Sequence, residues 1–388
     1  QAIAAIEAAI RTAARRLGVP PTTLQRANLL VEGDTTHYGQ QLVDVRAVEC
    51  WDELVARFDP EGQARAAAAW NAAHPLERRG VDVVPLCFGI AFTARHLNQA
   101  EALVHVYRDG TVSVSTGAVE MGQGVSTKLR AAVAHELDVP PALVHVETTA
   151  TSRTANVSPT AASTGADLNG AAATQAARVI RAGLDKVDPE GALAWPERVA
   201  AAYVARIGLS ALAHHATPWL DFDPAAQRGR AFAYHVYGAA VVSTSVDVLR
   251  GLARVDRVQV VHDIGRSIDH VVDVGQVEGA VVQGVGWLTS EELRHDDQGR
   301  LLTDTLASYK VPDLASAPQV DVVLLERESP GLLGSKAVGE PPLVYGLGAL
   351  FAIRDAIRSW RPDLPDEVVA PMTPERVFTA LHGPRVDA

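Results

Sequence analysis

Cysteine is almost missing from this sequence, with two in 388 residues, Cys50 and Cys87. That excludes a disulfide scaffold, a four-cysteine zinc site and a self-contained iron–sulfur cluster. It fits a reducing compartment, and a cytoplasmic location is the expectation. Long apolar runs are missing too. No stretch reaches the ~18–20 apolar residues of a membrane span, and the most apolar run, Gly238 to Val242, is strand-sized. Basic charge is in deficit, 35 Lys plus Arg against 46 Asp plus Glu, a net charge of −11. An acidic chain with no basic cluster is a poor partner for a phosphate backbone, so nucleic acid is not an expected ligand. HExxH and GxSxG are both absent, and the adjacent His214 and His215 point different ways on any regular element. No metal held directly by the protein is expected. There is no basic leader before an apolar segment, and the first residue is Gln1. The expectation is a chain that begins part-way through a longer protein.

What is present is ordinary globular material, 47% hydrophobic and 21% charged, in a length suited to two or three compact units. The first eighty residues read as mainly helical. Ile3, Ile6, Ile10 and Leu17 are at helical spacing in an Ala-rich stretch that stops at Gly18. Thr22–Leu30, Trp51–Phe58 and Gly62–Ala73 read as further helices. After Gly80 the pattern changes. Val81–Thr93 is rich in strand formers, and Ala102–Tyr107 with Thr111–Thr116 form a hairpin turned at Asp109-Gly110. Val125–Leu137 reads as a helix and Val144–Thr148 as a strand. A second hairpin covers Ala233–Val248 and Leu252–Ile264. Helices are expected over 170–184, 196–207, 277–293, 347–360 and 374–381, and a strand over 320–325. Hairpins and helices without regular βαβ alternation argue for an α+β fold, mixed hairpin sheets with packed helices.

Four segments could carry chemistry. Gly117-Ala-Val-Glu-Met-Gly-Gln-Gly124 joins a strand to a helix. Gly122, Gln123 and Gly124 either let backbone N–H groups approach an anion at the helix start or make a tight turn with Gln123 as the cap. The spacing fits neither GxGxxG nor a P-loop. Ser158-Pro-Thr-Ala-Ala-Ser163 is a loop of small residues. Ala161, Ala162 and Ser163 could form an anion-binding nest or simply a loop. Gly334-Ser-Lys-Ala-Val-Gly-Glu-Pro-Pro342 holds one carboxylate, Glu340, before two prolines. Pro341 is expected to push Glu340 out of the α region, and Lys336 and Ser335 beside it make a general base credible. Phe88-Gly-Ile-Ala-Phe92-Thr93 ends the first strand, where Phe92 and Thr93 could clamp a flat ring or pack in the core.

Taken in order along the chain, these motifs, with Arg26-Ala-Asn28, Glu32-Gly-Asp34, Leu97-Asn-Gln99, Asp273-Val-Gly-Gln276-Val-Glu-Gly279 and Ser308-Tyr-Lys-Val-Pro312, resemble the molybdenum-binding subunit of the xanthine dehydrogenase/aldehyde oxidase family. The resemblance implies a molybdenum cofactor-binding fold, with residues 1–45 the helical tail of one cofactor-binding domain and 46–388 a second. It implies molybdenum held by the dithiolene of a molybdopterin, and so no protein metal ligands. It implies oxidation of hypoxanthine or xanthine to urate with water as oxygen source, or, as alternatives, an aldehyde substrate or a non-catalytic half-subunit. Glu340 matches the general base. Gly122, Gln123, Gly124, Ala161, Ala162, Ser163 and Gln276 match cofactor contacts, and Phe92 and Thr93 match substrate contacts. Ala91, Ala118 and Val119 depart from the family's usual residues. Electrons would leave to 2Fe–2S and FAD centres in a partner subunit or domain and on to NAD, so a heteromer is expected. The family's Gly-rich cover, second stacking aromatic and purine-reading residues find no match here, and the isolated chain is expected to be inactive.

Overall fold

The computed structural model describes residues 1–384, so the last four positions of the expected second domain lie outside the described residues. The elements in order are α1 (Ala2–Leu17), α2 (Pro21–Ala27), α3 (Ala47–Phe58), α4 (Pro60–Ala73), β1 (Glu77–Ile90), β2 (Gln99–Val106), β3 (Val112–Thr116), α5 (Val125–Leu137) and β4 (Val144–Val146). They continue with α6 (Gly165–Leu184), α7 (Trp195–Val204), β5 (Ser210–Ala216), β6 (Tyr234–Asp247), β7 (Leu252–Gly265), α8 (His270–Thr289), β8 (Gln319–Glu326), α9 (Leu347–Trp360) and α10 (Pro374–His382). Two four-stranded sheets result, ordered β1-β6-β7-β8 and β4-β3-β2-β5. In each, three strands are antiparallel neighbours and a fourth joins parallel, β8 beside β7 and β4 beside β3. The fold is α+β, as the mixture of hairpins and helices predicts.

The first sheet is covered on both faces. Apolar residues of β1, β6 and β7 pack with α8, α9 and α10 on one side and with α3 on the other. A strand buried on both faces reads as a continuous apolar run, which is why Gly238–Val242 is so hydrophobic. The second sheet buries one face against α5, α6 and α7, and β5 alternates buried and exposed residues. The N-terminal helices dock on the first sheet through charge. The Arg11 guanidinium donates to both carboxylate oxygens of Asp82 on β1 and to Glu7 at 2.6 Å, and Gln25 donates to the Val83 carbonyl at 2.8 Å. A buried guanidinium with its donors matched in this way is stable where an unpaired one would not be.

Several boundaries differ from expectation for identifiable reasons. α8 begins seven residues before Val277, at His270, because the Asp269 side chain accepts the Val272 N–H and caps it. The β-branched pair Val271-Val272 hid that start. α6 begins at Gly165, five residues before the helix expected from 170. The Asn169 amide donates back to the Gly165 carbonyl within the helix. β5 was not expected; its alternation of Ala, Leu and His is weakly strand-like and is completed by pairing with β2.

Candidate active site

A cavity of about 220 Å³ lies where the two layered units meet. Its walls come from three loops and from helices α5, α6 and α8. The loop between β3 and α5 contributes Met121 and Gln123, the loop before α6 contributes Thr160, Ala161 and Ser163, the segment 335–340 contributes Glu340, and α8 contributes Gln276. Five of the expected residues, Gln123, Ala161, Ser163, Gln276 and Glu340, thus share one cavity. Ala162 sits between two of them in sequence, and Gly122 and Gly124 flank a third. Phe92 and Thr93 do not line this cavity. They follow the end of β1 at Ile90, which packs with Tyr234, and Ala337 packs against that pair. Asn98 holds the Phe92 backbone from both sides, accepting its N–H at 2.9 Å and donating to its carbonyl at 2.8 Å.

Glu340 is exposed and is held by a reciprocal pair with Ser163. The Glu340 N–H donates to Ser163 Oγ at 2.8 Å, and the Ser163 N–H donates to Glu340 Oε1 at 3.2 Å. Glu340 Oε2 has no partner among the described residues. Two expectations about this residue are corrected. Its backbone is in the α region, with φ −101° and ψ −41°, not driven out by Pro341. The cause is the 3₁₀ turn Pro341–Gly346 that follows: the Leu343 N–H bonds back to the Glu340 carbonyl at 3.1 Å, which outweighs a steric preference. Lys336 is not Glu340's neighbour in charge either. It is buried, with Nζ 2.6 Å from Asp263 and 2.9 Å from Asp44, and Arg46 joins the same carboxylates. A buried ammonium needs carboxylates around it, and these lie behind the cavity.

The Gly122–Gly124 turn also departs from its expected roles. Its helix N-terminus is already filled by an internal anion. Glu120 accepts the N–H groups of Gly122 at 2.9 Å, Gly124 at 3.0 Å and Ser126 at 2.9 Å. Burial works against ionisation there, but these donors hold the Glu120 carboxyl below its ordinary range. Gln123 is not the cap. Its amide ties its own loop, accepting the Met121 N–H at 2.6 Å and donating to the Val119 carbonyl at 2.8 Å, which leaves one hydrogen and one lone pair for a ligand.

The loop before α6 does form a concavity. Ala162 and Ser163 both adopt left-handed backbone, φ 55° and 54°, a conformation that costs non-glycine residues free energy and persists where surroundings enforce it. Here the Thr164 N–H closes onto the Ala161 carbonyl at 3.2 Å while Ser163 is spoken for by Glu340. The Ala162 N–H has no acceptor among the described residues, and neither does the Gln276 amide. Gly165 and Gly339 keep the walls bare, since a Cβ at either would project toward Thr160 or Ser163. Unused donors over small side chains suit a polar, planar ligand. Two residues that sequence reasoning missed complete the frame. Tyr234 donates to Asp167 Oδ2 at 2.6 Å and accepts the Ala337 N–H at 2.9 Å. Burial, then the charge of Asp167, pushes the Tyr234 phenol well above its ordinary range, so it stays a donor. Nothing local in the sequence marks this pair; only the fold brings them together.

Residues 53–318 match the family described as the molybdopterin cofactor-binding domain, and the chain belongs to that family. Among curated proteins it is similar to the xanthine dehydrogenase/oxidase of Gallus gallus, 37% identical over 375 residues, and to xanthine dehydrogenase 1 of Arabidopsis thaliana, 39% identical over 386 residues. These alignments cover 95% and 96% of this chain but 28% of each relative's length. Among solved structures it is similar to quinoline 2-oxidoreductase from Pseudomonas putida 86, with TM-score 0.84 and 24% identity over 97% of this chain and 51% of that one. The aldehyde oxidoreductase from Desulfovibrio desulfuricans ATCC 27774 gives TM-score 0.81 and 24% identity over 96% and 40%. The structural likenesses establish the fold, the mixed sheets and packed helices of this cofactor-binding type.

Proposed function

We propose that this chain supplies the general-base side of a molybdenum hydroxylase that oxidises hypoxanthine or xanthine to urate. The observation that carries the reading is the Ser163–Glu340 pair, which fixes Oε1 and leaves Oε2 free at a cavity lined by Gln276 and the Ala161–Ser163 loop. The sequence relatives are named xanthine dehydrogenases, which favours a purine over an aldehyde. When bound, molybdopterin with its molybdenum supplies the two-electron redox chemistry and activates water. The residues present fit such a group: the Ala162 N–H and Gln276 amide are unengaged, and the walls are small. The cavity itself is below the ~300–1,000 Å³ of a full small-molecule site, which supports a chain that walls one side of the pocket.

In the net reaction a ring C–H and water become C–OH, releasing two electrons and two protons. Glu340 Oε2 accepts one of those protons as the water oxygen attacks the ring carbon. Ser163 keeps the carboxylate from rotating, through its N–H on Oε1 and its hydroxyl on the Glu340 backbone. Phe92 and Thr93, just after β1 ends at Ile90, are the residues we assign to the flat face of the substrate. Centres of the 2Fe–2S and FAD type in a partner subunit or domain, with NAD as final acceptor, would supply the route for the two electrons. The test is Glu340→Gln in the enzyme that carries this chain. It should retain molybdenum content and lose turnover by ~10²–10⁴-fold. A variant with near wild-type kcat would overturn the assignment.

A further inference from the structure

The Ser163–Glu340 pair joins two loops that are 177 residues apart in sequence. Neither loop is held by that pair alone. Asp167 lies in the first turn of α6, four residues after Ser163, and uses both carboxylate oxygens on the segment that leads to Glu340. Its Oδ1 accepts the Leu332 N–H at 3.4 Å, and its Oδ2 accepts the Tyr234 hydroxyl at 2.6 Å. The same hydroxyl accepts the Ala337 N–H at 2.9 Å. One carboxylate therefore grips residues 332 and 337, the second through a phenol fixed on β6. The packing agrees, since a Cβ on Gly170 of α6 would run into the Leu332 side chain.

We propose that Asp167 and Tyr234 are positioning residues for Glu340, a clamp that sets the distance between the Ser163 loop and the 332–340 segment and so the placement of the Glu340 carboxylate. Neither residue needs to touch substrate or cofactor. Two consecutive left-handed residues, Ala162 and Ser163, would relax if α6 and the 332–340 segment were free to part. The clamp opposes this from the α6 side.

The proposal rests on the reading of Glu340 as base only for its kinetic consequence, and its test has two independent arms. In the first, amide hydrogen exchange is followed by mass spectrometry on the 388-residue chain. Tyr234→Phe and Asp167→Ala each remove two hydrogen bonds and should each speed exchange in 332–340 and 161–166 by about tenfold to a hundredfold, with the β6–β7 amides unchanged. Asp167→Asn keeps an oxygen acceptor for Tyr234 but turns its NH2 toward the Leu332 N–H, so it loses only the longer bond and should fall between wild type and Asp167→Ala. In the second arm, in the enzyme that carries this chain, Tyr234→Phe and Asp167→Ala should lower kcat with KM little changed, and Asp167→Asn should restore part of it. Wild-type exchange in 332–340 for Tyr234→Phe overturns the clamp, as does Asp167→Asn behaving like Asp167→Ala. If Tyr234→Phe fails to fold, the contrast between the two Asp167 variants decides. Altered exchange together with an active Glu340→Gln upholds the clamp and rejects the base. Unaltered exchange with an inactive Glu340→Gln does the reverse.

Discussion

At the scale of single residues, the site depends on a serine whose two groups do different things. Its N–H orients the Glu340 carboxylate and its hydroxyl receives the Glu340 backbone N–H. Ser163→Ala removes only the second, so kcat should fall about threefold to tenfold, the worth of one hydrogen bond, and a steady-state assay with KM near wild type checks it. Behind the site, His262 is buried, its Nδ1 2.8 Å from the Tyr345 hydroxyl. Burial, then the charge of Lys336, lowers its pKa to about 3. The unfolded chain, with histidine near its ordinary ~6.5, takes up that proton first as pH falls. The stability due to neutral His262 is therefore complete above about pH 6.5 and drains away as pH falls toward the folded value. In urea melts, the stability difference between wild type and His262→Asn should shrink by about 2 kcal/mol between pH 7 and pH 4.5. A difference that holds constant with pH would show that His262 contributes packing alone.

At the scale of elements, α8 and the 3₁₀ turn after Glu340 touch backbone to backbone. A Cβ on Gly284 would strike the Leu343 carbonyl, and one on Gly346 would strike the Gly284 backbone. Gly284→Ala should cost about 1–3 kcal/mol by overpacking and, by shifting the turn, move Glu340; thermal melts and a kcat measurement read the two effects. Elements were largely legible in the sequence because their signals are local. The Asp109-Gly110 turn, the α5 and α9 spans and the second hairpin follow from periodicity and punctuation. Capping by distant or unexpected residues was not legible. Glu120 reaches three N–H groups up to six residues on, where Gln123 looked like the cap, and Lys336 turns away from Glu340 toward carboxylates at positions 44 and 263. The motifs carry the five expected residues that share the cavity, Gln123, Ala161, Ser163, Gln276 and Glu340, while Phe92 and Thr93 do not line it. The Asp167–Tyr234 pair was not legible, because its members are 67 residues apart and each alone is an ordinary helix or strand residue.

At the scale of the molecule, the loops around the cavity are greasy on the outside. Met121 is 67% exposed, Val157 45% and Val119 44%, and the Val119 N–H to Thr160 Oγ bond ties their two loops into one rim. Across the turn, the side chain of Val272 crowds Gly124, and its neighbour Val271 is 81% exposed. Apolar residues grouped around a functional cavity are a signature of surfaces that receive another body, and the chain spans 28% of the length of its curated relatives. Catalysis needs all reacting groups held together. The 388-residue chain supplied with molybdenum cofactor, xanthine and an artificial electron acceptor should therefore show no turnover. Clear activity in that assay would show that this chain walls the whole pocket.

The 177-residue span between Ser163 and Glu340 also sets a timetable. Contacts that close long loops form late, because chain entropy must be overcome before they give any return. The β6–β7 hairpin, joined by a turn of a few residues, has no such delay. During refolding, protection of hairpin amides should precede protection of the Ser163 amide. The carboxylate pocket would then be among the last parts of the chain to take shape, and a molecule caught before that moment would have its sheets in place and no functioning site.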